Sequence, residues 1–263
     1  MLKTIKEVSC LNKLPRNTVE FEVYGDYALF SDPITRVGGE KFTYMIPTYE
    51  AIKGILHSIY FKPTITWIVD EVRVMNRIQT ECKGIRPIKY NDASANDLSY
   101  YTYLKDCRYQ VRAHFIWNLN HPELEADRNE NKHHNIAKRS IEKGGRRDIF
   151  LGVREAQGYV EPCVFGQGPG AYDEIAQLSF GRMYHGITYA DEAYSEETKG
   201  KLSLRFWNQA VMERGIIRYP SPVTFQGNDI RIIRDMEIKK LRERAAIILL
   251  VWMNLRRWTR CRG

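Results

Sequence analysis

The spacing of apolar positions changes several times along the chain, and each change marks an expected element. Residues 18–30 (TVEFEVYGDYALF) concentrate β-branched and aromatic types and predict a strand, with Gly25-Asp26 suggesting a bulge. A loop with Pro33 and Gly38-Gly39 follows. From Pro47 the period becomes helical: Ala51, Ile52, Ile55, Leu56 and Ile59 recur at three- and four-residue intervals and form one apolar stripe. Pro63 ends that helix, because the residue before a proline is pushed out of the helical region. Residues 64–75 (TITWIVDEVRVM) return to strand chemistry.

Beyond a polar connection at 91–96, residues 103–118 give the clearest alternation in the chain. Cys107, Tyr109, Val111, Ala113, Phe115 and Trp117 interleave with Arg108, Gln110, Arg112 and His114, so one face is core and the other polar or basic. A helix fits about 131–143, with Ile136, Ala137 and Ile141 inward and Gly144-Gly145 where a left-handed C-terminal cap belongs. Residues 148–156 predict another strand. The order strand, helix, strand, strand, helix, strand predicts an α+β chain: a ferredoxin-like (RRM-like, βαββαβ) domain over 17–156, after an N-terminal arm at 1–16. The runs QLSFGRMYHGITYA, LSLRFW and GIIRYP predict a smaller antiparallel β-rich C-terminal domain over 157–236. Residues 237–263 form a basic tail whose apolar run, Ala245 to Met253, is far below the ~20 residues of a membrane span. It reads as a partner-docking helix or as an untied terminal segment.

Composition sharpens this picture. At 263 residues and 43% hydrophobic content, the chain is long enough to build its own core. Five cysteines at wide spacing, without a Cys-x-x-Cys pair, argue against a disulfide framework or zinc knuckle and fit a reducing cytoplasm. Lys3, Lys6 and Glu7 interrupt the first residues, so a signal peptide is not expected. The net charge of +8 is concentrated at one end: residues 231–263 carry ten Lys/Arg against three Asp/Glu, which leaves +1 for the rest. Nucleic-acid binding by the body therefore has to rest on a local patch. One exists at 131–148, where Lys132, Lys138, Arg139, Lys143, Arg146 and Arg147 face only Glu142 and Asp148.

The candidate chemistry lies in the same stretch. Lys132-His133 falls at or just before the start of the second helix, where free N–H groups and the positive dipole end favour a phosphate. A histidine there can move the proton of a 2′-hydroxyl or a leaving 5′-oxygen, and a lysine can stabilise charge on the phosphate, so no metal or other cofactor is required. The competing reading makes His133 a half-buried helix residue. Tyr60, at the end of the first helix, orients an attacking hydroxyl or simply caps the apolar stripe. Gly144-Gly145-Arg146-Arg147 offers a turn with two guanidinium groups as a phosphate clamp, or a helix cap followed by solvated arginines. Arg108, Arg112 and His114 on the polar strand face are candidate contacts for RNA or for the second domain, with His114 a reserve catalytic candidate. Gly166-Gln167-Gly168-Pro169-Gly170 resembles a dinucleotide loop, but its proline and the missing strand-to-helix setting point to a mobile loop. His133 and His134 point about 100° apart on a helix, which argues against joint metal ligation.

Four segments resemble one family: GDYALFSDP at 25–33, YMIPTYEAIKGILHSIYFKPT at 44–64, DRNENKHHNIAKRSIEKGGRRDIFLGVRE at 127–155, and MYHGITY at 183–189. By these segments the chain is similar, over about 18–236, to the RAMP-superfamily CRISPR-associated proteins of the fifth Cas family, subtype d. The resemblance implies a ferredoxin-like domain followed by a smaller β-rich domain. It implies metal-independent cleavage of precursor CRISPR RNA within its repeats, by 2′-hydroxyl attack that leaves a 2′,3′-cyclic phosphate. Continued binding of the mature RNA's 5′ tag, inside the type I-C effector complex with its other subunits, is also implied, with target DNA met only through that complex and no membrane. A non-catalytic 5′-tag-binding assembly subunit is the alternative. The family's catalytic tyrosine corresponds to Tyr60 and its Lys-His pair to Lys132 and His133; Lys138, Arg139, Lys143, Arg146 and Arg147 fall in its basic segment. An ideal ferredoxin-like domain has near-parallel helices, which places Tyr60 and His133 at opposite ends. Their meeting then calls for a displaced loop, a different helix boundary, or closure by RNA.

Overall fold

The computed structural model describes residues 14–32, 40–86, 98–195 and 198–236. Both termini, including the tail expected to be a docking or untied segment, lie outside the described residues, as does the loop with Pro33 and Gly38-Gly39. The described residues fold as a mostly antiparallel sheet with two α-helices. In chain order the elements are β1 (Val19–Ala28), β2 (Lys41–Phe42), α1 (Tyr49–Ile59), β3 (Ile65–Val74), β4 (Gln79–Ile85), β5 (Ser99–Trp117), α2 (Glu130–Glu142), β6 (Ile149–Phe150), β7 (Gln157–Pro162), β8 (Leu178–Thr188), β9 (Lys201–Glu213), β10 (Ile216–Arg218) and β11 (Ile230–Asp235).

β5 is the spine. Its inner half pairs antiparallel with β1 on one side and β3 on the other, while its outer half forms a hairpin with β4. β1 carries β7 on its far edge, so the strands run β3-β5-β1-β7. The sheet continues past β3 through β10 to β9, which is flanked by β8 and β11. β7, beyond the break expected at 156/157, is hydrogen-bonded to β1.

Alternation along β5 divides the two faces as its sequence demands. Tyr109, Val111, Ala113 and Phe115 are buried in one cluster with Phe21 and Val23 of β1, Trp67 and Val69 of β3, Ile52, Ile55, Leu56 and Ile59 of α1, and Ala137 and Ile141 of α2. Each such side chain contributes about 1.5–3 kcal/mol of burial, which holds both helices on the sheet. Thr48 opens α1 by accepting from the Ala51 N–H at 3.2 Å. Tyr60 closes it in an extended conformation (φ −156°, ψ 118°), three residues before Pro63. Asn129 caps α2 by accepting from the Lys132 N–H at 3.0 Å.

Three local expectations are corrected. β1 keeps an unbroken register past Gly25-Asp26, so no bulge forms there. Gly25 is needed instead for close approach of β7: a Cβ would lie 2.7 Å from the Gln157 carbonyl oxygen. The strand expected over 148–156 shrinks to the two residues of β6 followed by a turn, because the Leu151 N–H bonds the Ala156 carbonyl within that turn. The 166–170 loop is pinned rather than mobile. Gln110 and Arg73 hold it by four contacts: Gly166 N–H to Gln110 Oε1 (2.9 Å), Gln110 Nε2 to Gln167 O (2.8 Å), Arg73 Nη1 to Gln167 O (3.4 Å) and Arg73 Nη2 to Gly168 O (2.9 Å).

Candidate active site

The last turn of α1 abuts the side of α2 and thereby joins the residues that strand and helix order alone had set apart. The Ser58 carbonyl accepts from the Arg146 and Arg147 N–H groups (3.2 and 3.1 Å) just past the C-terminal end of α2. The Tyr60 side chain reaches the other way, to His133 in the first turn of α2. Helical boundaries are close to those expected; α1 simply meets α2 along its flank instead of running level with it. Gly144 and Gly145 adopt positive φ (77° and 103°) and send their N–H groups back to Ile141 and Ser140, turning the chain so that the two arginines return to α1.

His133 and Tyr60 are both fully buried. The Tyr60 hydroxyl and His133 Nδ1 lie 2.7 Å apart, and His133 Nε2 lies 2.8 Å from the Asp127 carbonyl oxygen. A carbonyl only accepts, so in the neutral ring Nε2 carries the proton and Nδ1 accepts from the tyrosine hydroxyl. Phe115 and Trp117 of β5 pack edge-on against the imidazole, and the Trp67 indole N–H donates to the Tyr60 carbonyl at 2.8 Å. The Arg146 guanidinium sits 5.0 Å from the centre of the Tyr60 ring. Burial pushes the Tyr60 phenol above its ordinary range against the opposing pull of Arg146, so the hydroxyl is held neutral.

Lys132 points to solvent, its side chain 49% exposed, and its ammonium pairs with the Asp127 carboxylate. The second oxygen of that carboxylate accepts from the Thr64 hydroxyl at 2.8 Å. These partners, Lys132 foremost, hold the Asp127 carboxyl below its usual range. Neither Asp127 nor Thr64 was singled out from the sequence as a site residue. The usable signals were Thr64 inside the Tyr-x-Lys-Pro-Thr stretch and Asp127 two residues ahead of the helix cap.

Lys138, Arg139, Lys143, Arg146 and Arg147 are exposed along and beyond α2, continuous with Lys132. The other three expected RNA contacts lie elsewhere, on the opposite sheet face, and each has an internal carboxylate. Arg108 pairs with Glu22 (2.6 Å), Arg112 with Glu20 and Glu71 (2.9 and 2.7 Å), and His114 Nδ1 with Asp70 (2.8 Å). His114 is therefore not part of the Tyr60–His133 cluster. His134 turns away from His133, with Nε2 3.0 Å from the Thr18 carbonyl. Among the described residues, no group of three or more His, Cys, Asp or Glu is placed to hold a metal ion, and no helix is long and apolar enough to cross a membrane.

Residues 18–220 match the family model Cas_Cas5d, described as CRISPR-associated protein (Cas_Cas5). A curated relative, the CRISPR pre-crRNA endoribonuclease Cas5d of Mannheimia succiniciproducens, is 28% identical over 66% of this chain and 86% of its own length. Among solved structures, a CRISPR-associated protein superposes with TM-score 0.67 at 33% identity, covering 81% of this chain and 96% of that one. A functionally uncharacterized Streptococcus mutans protein superposes with TM-score 0.63 at 38% identity, covering 77% and 92%.

Proposed function

Because the chain belongs to the Cas5d family of CRISPR-associated proteins, we propose that it is a metal-independent endoribonuclease that cuts precursor CRISPR RNA within its repeats. It then keeps the 5′ tag of the product as a subunit of the type I-C surveillance complex. The observation that carries this reading is the convergence of Tyr60, His133 and Lys132, from segments far apart in sequence, beside an exposed row of lysines and arginines.

In this reading the strand order β7-β1-β5-β3, with α1 and α2 on one face, is a ferredoxin-like unit, and β8–β11 form the smaller second unit. Lys138, Arg139, Lys143, Arg146 and Arg147 hold the RNA backbone, a salt-sensitive contribution. The 2′-oxygen attacks the adjacent phosphorus and its proton passes to the Tyr60 oxygen, while the Tyr60 proton moves to His133 Nδ1. The bond from phosphorus to the 5′-oxygen breaks, the leaving oxygen takes a proton from the Lys132 ammonium, and a 2′,3′-cyclic phosphate remains. Since Tyr60 and His133 are fully buried, RNA must shift the Arg146 turn off the tyrosine ring to reach them.

The test is incubation of the protein with labelled cognate repeat RNA in excess EDTA, followed by mapping of the product ends. A single cut with a cyclic-phosphate end is expected. The burial of both groups favours a second reading, a non-catalytic subunit that binds the 5′ tag of RNA cut by another nuclease. Tight binding of RNA that stays intact selects that reading.

A further inference from the structure

Asp127 joins His133, Lys132 and Thr64. Its backbone carbonyl receives both the His133 Nε2–H (2.8 Å) and the N–H of the helix cap Asn129 (2.8 Å). Its carboxylate pairs with Lys132 through Oδ1, accepts from Thr64 through Oδ2 at 2.8 Å, and places Oδ2 3.5 Å from His133 Nε2. The other groups packed against His133 are the neutral Tyr60 hydroxyl and the Phe115 and Trp117 rings; Arg146 lies over the far side of Tyr60. Among the described residues Asp127 is the carboxylate paired with the imidazole, and Thr64, at the entrance to β3, fixes its orientation.

We infer that Asp127, oriented by Thr64, is a positioning residue of the site: its carbonyl sets which nitrogen of His133 is basic, and its carboxylate stabilises His133 once protonated while holding Lys132 until a phosphate takes its place. The inference rests on the nuclease reading above and extends it to a residue outside the tyrosine-lysine-histidine set. Its logic is geometric. A base that accepts through Nδ1 needs its Nε2–H held by an acceptor, and the imidazolium formed during transfer needs a counter-charge on that same side. Thr64 matters because a carboxylate free to rotate toward solvent with Lys132 would leave the ring.

The experiment compares the unaltered chain with D127N and T64V in single-turnover cleavage of cognate repeat RNA, across pH, with binding measured separately. D127N keeps the backbone carbonyl and the side-chain shape but loses the charge. It is expected to slow cleavage about 10- to 100-fold while RNA affinity changes only a few fold. Loss of that counter-charge should move the acid limb of the D127N rate profile to lower pH and not only lower the rate. A merely structural role would reduce the rate at all pH values alike. T64V, which leaves every charge in place, should show a smaller loss with the same direction of shift. In parallel, nitrogen-detected NMR of the free protein should find His133 as the Nε2–H tautomer.

Cleavage by the unaltered chain combined with an unshifted D127N profile, or with the Nδ1–H tautomer, overturns the role of Asp127 and leaves the nuclease reading standing. Absence of cleavage by the unaltered chain overturns the nuclease reading and this inference together.

Discussion

Replacing Tyr60 by Phe isolates the one bond on which the proposed proton relay depends. The ring, its packing against α1 and the overlying Arg146 all remain; only the hydroxyl 2.7 Å from His133 Nδ1 is lost. Since His133 is fully buried, no water replaces that donor, and the nitrogen becomes an unpaired acceptor in the core. The expected cost is about 1–3 kcal/mol. At about 2–4 °C per kcal/mol for a chain of this size, the melting temperature should fall by about 2–12 °C. The effect on cleavage should be far larger, about 10²- to 10⁴-fold, because the relay loses its middle carrier. The two readouts separate the possibilities: at a temperature well below melting, a purely structural hydroxyl leaves the cleavage rate nearly untouched. Combining Tyr60→Phe with His133→Ala tests the pairing itself, and the double variant should be about 1–2 kcal/mol more stable than additivity predicts. Cleavage by Tyr60→Phe within about threefold of the unaltered chain would refute the relay, since removing a positioned acid–base group costs much more.

Other elements give independent expectations. Burial, with Lys53 and Arg147 nearby, pushes His57 from 6.5 down to about 4. Between those values the unfolded chain binds a proton that the folded chain refuses, so stability falls as pH drops, by up to about 3 kcal/mol from this group. Denaturant midpoints should show that slope and His57→Gln should flatten it; a flat profile for the unaltered chain disproves the assignment. Arg147→Ala should lower the dependence of log affinity for repeat RNA on log salt by about 0.7–0.9, the worth of one phosphate contact, and no change in slope removes Arg147 from the RNA path. Lys53 is buried on α1 and paired with Glu192. Lys53→Met should destabilise by about 3 kcal/mol by stranding the carboxylate, while adding Glu192→Leu should restore most of it, as chemical denaturation can measure.

Much of this protein was legible without coordinates. The alternation along 103–118 identified β5 and its core face, because a strand has to send successive side chains to opposite sides. The apolar stripe from Ala51 to Ile59 and the cap at Gly144-Gly145 located both helices, because helical period and left-handed glycine are local properties. Tyr60, Lys132 and His133 were singled out as candidates through resemblance and through their place at helix ends. What sequence could not supply was anything that depends on one segment meeting another. The basic-looking face of β5 carries its arginines and His114, but Glu20, Glu22, Asp70 and Glu71 arrive from β1 and β3 to neutralise them. The 166–170 loop looked free because its own sequence does not show that Gln110 and Arg73, from two distant strands, hold it. Likewise, period and capping fix where a helix starts and stops but not where along its neighbour it docks. That docking position, set by side-chain packing in the shared core, decides that Tyr60 meets His133 and that Asp127 lies beside both.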